Sequence, residues 1–493
     1  MADLIRTAPL RLRPSEYRSI LWMGDLIMAI ISVFAALYAW GQYNLTVSIP
    51  RLAAQLVETR GWSFNRAWQE ASRQLDIQVP FWFYLLPVIW LLLLVELYEP
   101  HVAGSGRRTM RGIALAAFIG LLGYSLVFIL QQNTNLPRVG VGAFLLFASI
   151  LTLLWRVLFI RIYKSTGQRR RILLIGAGKA GQTLAEIYRS LSTQSFNLVG
   201  YIDDDKRKVG KTICGLRVVG TSAHMLDLID VYHVSDIVIA INGEIQGTTF
   251  QTILDAQEKG VEVTRMPILY EEMTGRVPVH HLESDWIIRS FVDGLHVSGS
   301  YELIKRLLDI LGGLVGILIF AISYPFLALA VYVDSGRPIF YSQPRLGRGG
   351  LLFNIFKYRT MRQDAEADGE ARLALENDPR VTRVGSFMRR MRLDELPQFW
   401  NVLRGEMSLV GPRAERPELV AEFQKQIPFY RARLLVKPGL SGWAQINYGY
   451  VASVTETAVK IEYDLYYIKH RTLGMDFQIM LRTIGTALRG TGR

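Results

Sequence analysis

Arg390-Met391-Arg392-Leu393-Asp394-Glu395-Leu396-Pro397-Gln398-Phe399-Trp400-Asn401 sets two adjacent carboxylates behind a cluster of arginines and just ahead of a proline. An apolar helical pattern runs on through Phe399, Trp400, Val402 and Leu403. Proline is tolerated in the first turn of a helix, where backbone N–H groups have no partner anyway, so Asp394 and Glu395 are expected at a helix N-terminus. That end carries unpaired donors and partial positive charge, which suit phosphate. An aspartate among arginines at such a place can attack phosphorus or hold a metal. The plainer alternative is an N-capping aspartate with a salt-bridged neighbour.

The surrounding chain narrows the choice. Its 493 residues leave room for about three domains. Half of them are hydrophobic and the mean hydropathy is +0.20, which points to a membrane portion. A net charge of +13 suits work beside anionic lipid and on phosphorylated substrates. Nucleic acid is the other reading of such charge, but no nucleic-acid motif is present, and no such partner is expected. Cys214 is the only cysteine, so an intrachain disulfide is excluded and a reducing cytosol is permitted. The first apolar run lacks the small-residue cleavage site of a signal peptide.

Upstream, four apolar runs fill the first third: about Ile20–Trp40, Val79–Leu97, Ile113–Leu130 and Val141–Ile160. Each approaches the ~20 residues a bilayer-spanning helix needs, so residues 1–165 are expected to form a four-helix transmembrane bundle. Asp25 interrupts the first run and Arg156 sits late in the fourth. Arg6, Arg11, Arg13 and Arg18 precede the bundle, Arg107, Arg108 and Arg111 lie between the second and third runs, and Arg161, Lys164 and Arg169 to Arg171 follow the fourth. The loop of residues 41 to 79 mixes both signs. This bias places both ends of the bundle in the cytoplasm.

Residues 166–295 read as a doubly wound, Rossmann-like α/β domain. Arg171-Ile172-Leu173-Leu174-Ile175 is a buried-strand pattern that runs into Gly176-Ala177-Gly178-Lys179-Ala180-Gly181 and a helix. A second strand, Leu198 to Ile202, ends at Asp203, at about the distance expected of a ribose-binding acid; Asp236–Ile241 and Val261–Val263 are further strands. Gly176, Gly178, Gly181 and Asp203 are thus candidates for binding NAD or another nucleotide; a regulatory fold that keeps the turn without a ligand is the equal alternative. Tyr301-Glu302-Leu303-Ile304-Lys305 spells the YxxxK pair of short-chain dehydrogenases and would suit a membrane-tethered sugar oxidoreductase. Against it, Lys305 abuts a long apolar run instead of lying within a continuing sheet.

That run, Ile310 to Val333, has spanning length, but Ser323-Tyr324-Pro325 falls in its middle, and proline there favours a kink. Both flanks are basic, with Lys305 and Arg306 before and Arg337, Arg345 and Arg348 after. A helix that enters and leaves on the cytoplasmic face satisfies both observations; a fifth ordinary span is the alternative.

From Lys305 onward the chain resembles the monotopic phosphoglycosyl transferases, the bacterial sugar-transferase family that loads polyprenyl phosphate. The shared residues are Lys305-Arg306 with Asp309, Ser323 with Pro325, Gly336 to Phe340, Gln343, Arg345 and Gly347, Phe353 to Met361, the Leu393–Gln398 core, Asn401 to Arg413, Lys437 to Gln445, and Tyr463 to Tyr467. Two departures stand out: the usual Pro-Arg-Pro reads Pro412-Arg413-Ala414, and Tyr324 separates Ser323 from Pro325. The leading bundle and Rossmann-like domain resemble the long branch of the family, which moves glucose 1-phosphate or galactose 1-phosphate.

The resemblance implies a catalytic domain over 296–493, α/β-mixed, with a re-entrant membrane helix at about 310–333 broken at Ser323 and Pro325. It implies transfer of a hexose 1-phosphate, glucose first and galactose second, from a UDP-sugar to undecaprenyl phosphate. UMP would be released, and an exopolysaccharide or capsule repeat unit begun. Asp394 would be the nucleophile and a Mg²⁺ ligand, and Glu395 its assistant. Arg413, Lys357, Arg359 and Arg392 would bind phosphate, and Gly439, Gly442 and Gln445 would form a loop at the substrate. A homodimer in the bacterial inner membrane is expected, with the Rossmann-like and catalytic domains on its cytoplasmic side. A non-catalytic polysaccharide export scaffold is the alternative outside enzymes; it gives no account of the carboxylate and arginine constellation.

Overall fold

The structure is a computed structural model. It describes residues 14–75, 79–98, 106–130, 138–165, 170–191, 196–241, 243, 245, 247–282, 299–363, 365, 378–449 and 453–488. Arg6, Arg11, Arg13, Arg169 and the expected boundary at 295/296 lie outside them. The chain forms two compact units, Met1–Arg169 and Arg170–Arg493.

The first unit is helical: α1 (Pro14–Tyr43), α2 (Ile49–Arg60), α3 (Phe64–Gln74), α4 (Leu86–Leu93), α5 (Gly106–Leu130) and α6 (Arg138–Ser165). Among its described residues three stretches are long and apolar enough to cross a membrane: Ser19–Arg60, Gly106–Ile129 and Arg138–Ile162. The expected second span falls short. Its α-helical part is α4 alone, led by a 3₁₀ turn over Phe81–Leu85 and followed by another over Val95–Tyr98. Pro87 has no N–H to bond back to Phe83, so the α-helical ladder starts only at Leu86. The expected loop of residues 41 to 79 is also largely helical, since α1 continues through a π turn into α2, and α3 follows. The two charges that interrupted apolar runs meet inside this unit. Arg156 Nη2 lies 2.6 Å from Asp25 Oδ2, with both side chains buried, and Arg156 Nη1 donates to Leu97 O. Paired and hydrogen-bonded, the two charges can be held in an apolar interior.

The second unit opens with the α/β layer: β1 (Arg170–Ile175), α7 (Lys179–Ser190), β2 (Phe196–Ile202), β3 (Thr212–Ile213), β4 (Leu216–Gly220), α8 (Met225–Tyr232), β5 (Asp236–Ile239), α9 (Gly247–Glu258), β6 (Glu262–Arg265) and α10 (Met266–Thr274). The sheet order is β3-β4-β2-β1-β5-β6, parallel except for the short β3–β4 pair. β1, central and apolar, has Ile172, Leu173, Leu174 and Ile175 buried. Such two-sided burial is what helices on both faces of a parallel sheet produce.

The remainder comprises α11 (Gly299–Ser335), the hairpin β7 (Phe340–Leu346) and β8 (Leu352–Tyr358), α12 (Arg383–Arg390), α13 (Phe399–Arg404), β9 (Ser408–Val410), α14 (Pro417–Gln426), β10 (Gly439–Ser441), α15 (Trp443–Asn447), α16 (Val454–His470) and α17 (Leu473–Leu488). The α/β layer does not end where its last strand ends. Val277 and Val279, which follow α10, are buried in one core with Val410, Phe423, Tyr430, Ile461 and Leu465.

α11 is the fourth helix long and apolar enough to cross a membrane. The expected break at Ser323 and Pro325 is absent: one helix of 37 residues runs through both positions. Pro325 leaves the carbonyl of Ala321 without its helical donor, and Ser323 does not serve it. Ser323 Oγ donates instead to Ile319 O and Phe320 O. α11 is held by α13 and β9. Gly312 and Gly316 leave space for Leu409 and Phe399, and Asp309 accepts from Ser408 Oγ and Leu409 N.

Candidate active site

β8 delivers Lys357 from one side, and the Arg389–Arg392 segment brings cations from another. Arg392, which follows α12 and leads into the next turn, lies in the left-handed region at φ 55°, a conformation a bulky residue adopts only when its surroundings impose it. The chain then enters a 3₁₀ turn over Leu393–Gln398, in which Asp394 and Glu395 occupy the first turn and Pro397 lies within. This is the helix N-terminal placement the sequence predicted, with α13 following directly.

The two carboxylates differ sharply. Glu395 is clamped by three cations: Arg413 Nη2 lies 2.9 Å from Oε1, Lys357 Nζ 3.3 Å from Oε1, and Arg392 Nη1 3.7 Å from Oε2. Burial alone would push its carboxyl pKa up, but Arg413, Lys357 and Arg392 override it and hold the group well below the usual range. Asp394, 8 % exposed, carries no hydrogen bond or ion pair among the described residues. Burial raises its pKa, the charge of Glu395 raises it further, and Lys357, Arg389 and Arg413 oppose them. Burial, and then the charge of Arg413, lowers Lys357. The site therefore holds one carboxylate locked as an anion and one left chemically free.

Of the expected phosphate binders, Arg413, Lys357 and Arg392 converge here and Arg359 does not. Its guanidinium donates to Ser335 O at 2.6 Å, Gly336 O at 2.7 Å and Arg337 O at 2.9 Å, so it caps the C-terminus of α11. Gly439 and Gly442 are needed for a different approach from the one expected. A Cβ on either would run into the backbone of Gly411, so they let β9 and β10 lie close and fix the chain that leads to Arg413. Gln445 turns back to Leu440 O at 3.4 Å. Sequence reading missed Arg389, whose charge acts on Asp394 while its Nε holds Thr360 Oγ1 at 2.8 Å. Its place in the run Arg389 to Arg392 was the available signal.

Among the described residues no cluster of three or more His, Cys, Asp or Glu side chains could hold a metal by itself. Mg²⁺ keeps waters and binds through one or two carboxylates plus substrate phosphates. Asp394, without a hydrogen bond among the described residues, is the donor that fits such a shared ion.

In the α/β layer, Gly176 takes φ 104° at the turn and Gly181 packs directly on its carbonyl, while Gly178 caps α7. Asp203 is spent within the domain: Oδ2 accepts from Ala177 N at 2.9 Å and from Lys208 Nζ at 2.8 Å. The acid expected to meet a ribose thus closes the glycine turn. The YxxxK pair is likewise internal. Tyr301 OH and Lys305 Nζ both donate to Asp476 Oδ2, at 2.8 and 2.9 Å.

Comparison with known proteins places the chain in a family. The family profile described as bacterial sugar transferase matches residues 300–490, and one described as CoA-binding domain matches residues 94–267. The chain is 42% identical over 232 residues to a UDP-N-acetylgalactosamine-undecaprenyl-phosphate N-acetylgalactosaminephosphotransferase of Aeromonas hydrophila, covering 47% of this chain and 53% of that one. It is 31% identical to an undecaprenyl-phosphate glucose phosphotransferase of Komagataeibacter xylinus, over 64% of this chain and 58% of the relative. It is 30% identical to a UDP-galactose-lipid carrier transferase of Erwinia amylovora, over 66% and 69%. The matches span between about half and two thirds of these relatives' length. Together with the site's geometry they establish that the chain belongs to the bacterial sugar transferase family.

Proposed function

We propose that this chain transfers a sugar 1-phosphate from a UDP-sugar to undecaprenyl phosphate and releases UMP, in two displacements at Asp394. The observation that carries the reading is the division of labour in the carboxylate pair. An Asp394 oxygen attacks the sugar-bearing phosphorus; the bond to the bridging oxygen breaks, and UMP leaves with that oxygen. A phosphate oxygen of the acceptor then attacks the aspartyl phosphosugar, forms the lipid diphosphate sugar and frees Asp394. Arg413, Lys357 and Arg392 grip phosphate oxygens as charge develops, exchanging part of their hold on Glu395 for the substrate. Glu395 keeps the three cations gathered beforehand and faces the acceptor phosphate. Mg²⁺, held by Asp394 and the diphosphate, would neutralise charge on the leaving group.

The relatives' names carry N-acetylgalactosamine, glucose and galactose, so the donor is a UDP-hexose or UDP-N-acetylhexosamine. The test is UMP release by the full chain in detergent, with undecaprenyl phosphate and each of these three UDP-sugars. One donor should support turnover, and kcat/KM should fall as the pH is lowered. Asp394 must be ionised to attack, and its raised pKa places that acid limb above the ordinary carboxylate value of about 3.9. No UMP from any donor would overturn the reading. The oxidoreductase reading has lost its pair to Asp476.

We also infer that α11 does not cross the bilayer. A straight helix of 37 residues is about 55 Å long, well beyond a core of about 30 Å. Yet one polar domain holds its start, through Tyr301 and Lys305, and its end, through Arg359. Glu302, in the first turn of the helix, lies 3.8 Å from Arg348, which follows its end. A span would drag that domain through hydrocarbon. Both flanks therefore lie on the cytoplasmic face, where the basic residues and a cytosolic UDP-sugar also belong. Cysteines at Glu302 and Arg337, in a Cys214→Ala background, should both resist an impermeant thiol reagent in spheroplasts and both react in inverted vesicles. Opposite labelling of the two positions would refute this topology.

A further inference from the structure

We propose that Arg433, seated on Asp464 and Glu415, is a positioning residue that aims the phosphate-gripping guanidinium of Arg413. This rests on the reading of Arg413 given above. The residues involved surround the segment Pro412–Glu415, which leaves β9 and carries Arg413 to Glu395. Four consecutive carbonyls of this segment are held, each from a different donor. Pro412 O accepts from Gly439 N at 2.9 Å, and Arg413 O from Arg433 Nη2 at 3.0 Å. Ala414 O accepts from Arg345 Nη1 at 3.4 Å, and Glu415 O from Leu346 N at 3.1 Å. A backbone gripped at every carbonyl cannot swing its side chain away by rotating.

Arg433 is the member of this set that nothing else in the reaction explains. It is only 4 % exposed, and it spends its donors inward: on Arg413 O, on Asp464 Oδ2 at 2.8 Å and on Tyr430 OH at 3.0 Å. Glu415 stands to it as Glu395 stands to Arg413. Its carboxylate draws Lys460 at 2.6 Å, Arg433 at 3.5 Å and Arg345 at 3.9 Å. Two half-buried glutamates thus each collect three cations, and Arg413 lies on the stretch of chain between them. Arginine is required at position 433 because a planar fork can serve a carbonyl and a carboxylate together, which a lysine ammonium cannot do with the same fixed geometry. When Asp464 is made neutral, Arg433 keeps Glu415 at 3.5 Å as its counter-charge, so the change loosens the fork without leaving a buried charge unpaired.

The test is a double-mutant cycle on UMP release by the full chain. Arg433→Lys and Asp464→Asn are each made alone and in an Arg413→Ala background, with a melting curve for every variant. Each single change should lower kcat/KM for the UDP-sugar by about 10- to 100-fold, mainly through kcat, while in the Arg413→Ala background it should cost less than about 3-fold, because residues in one network do not act additively. If the losses multiply fully across the two backgrounds, Arg433 does not act through Arg413 and the proposal falls while the site stands. If Arg413→Ala itself leaves UMP release intact, the phosphate-gripping role of Arg413 is wrong instead. Should Arg433→Lys melt early, Asp464→Asn carries the cycle, since it keeps the shape of the buried side chain and weakens one bond.

Discussion

Asp394→Asn should lower UMP release by about 10⁴-fold or more, the size of loss seen when a covalent nucleophile is removed. An amide of the same shape keeps the fold and leaves the three cations on Glu395; what is lost is the attacking oxygen and the carboxylate that would share a Mg²⁺ with the diphosphate. Glu395→Gln should fail differently. It leaves Arg413, Lys357 and Arg392 without their shared anion, yet it does not touch the free carboxylate beside them. The first displacement should survive at a reduced rate, and UMP should stop near one equivalent per enzyme because the cations are no longer gathered where the acceptor phosphate must dock. Mass spectrometry of that protein should find the phosphosugar on Asp394. Near-normal turnover by Asp394→Asn would end the covalent mechanism, and full turnover by Glu395→Gln would remove Glu395 from the second step.

The difference between these two carboxylates was only half legible beforehand. The order of Asp394, Glu395 and the arginines around them is local, and local order is what a sequence displays. Which carboxylate the cations choose depends on Lys357 and Arg413, 37 residues before Asp394 and 19 after it, and on the turn imposed at Arg392. Arg359 illustrates the same limit. It lies two residues from Lys357, a spacing that puts side chains on one face of a strand. But β8 ends at Tyr358, and beyond it the chain turns Arg359 to the end of α11. Arg433 and Glu415 gave no signal, and Asp464 stood in the shared run Tyr463 to Tyr467 with no role attached, because their roles exist only once α16 and the turn after α14 are packed together.

The membrane elements show a second kind of gap. Composition predicted apolar helices correctly in kind, since length and hydropathy add up along the chain. Val79–Leu97 failed because a single proline, Pro87, decides where an α-helix can start. The break expected in α11 at Ser323 and Pro325 failed in the opposite direction. Pro325 removes one bond, but a helix packed against Leu409, Phe399 and Tyr358 has enough other contacts to run on.

A chain cut to begin at residue 296 should be markedly less stable than one beginning at residue 170, although it keeps all the residues matched by the sugar transferase profile. The reason lies in the segment just upstream. Val277 and Val279 are 0 % and 2 % exposed in the core that also holds Ile461 and Leu465. Burying a valine side chain is worth about 1.5–3 kcal/mol, so losing two removes about 3–6 kcal/mol as an upper estimate. At about 2–4 °C per kcal/mol for a domain of this size, the melting temperature should drop by roughly 10 °C or more. Polar partners go as well. Glu271 pairs with Lys469 at 2.8 Å, Tyr270 OH donates to Glu462 at 2.9 Å, and Trp443 Nε1 donates to Gly275 O at 3.0 Å. Trp443 follows Gly442 in the turn that fixes Arg413, so the truncation should also cost turnover beyond what instability explains. Val277→Ala with Val279→Ala in the full chain reproduces the loss of packing while keeping the α/β layer, and should account for about half of the drop, since alanine still fills part of each site. Equal melting temperatures for the two truncated chains would show that the α/β layer is an appendage and not a wall of the catalytic core.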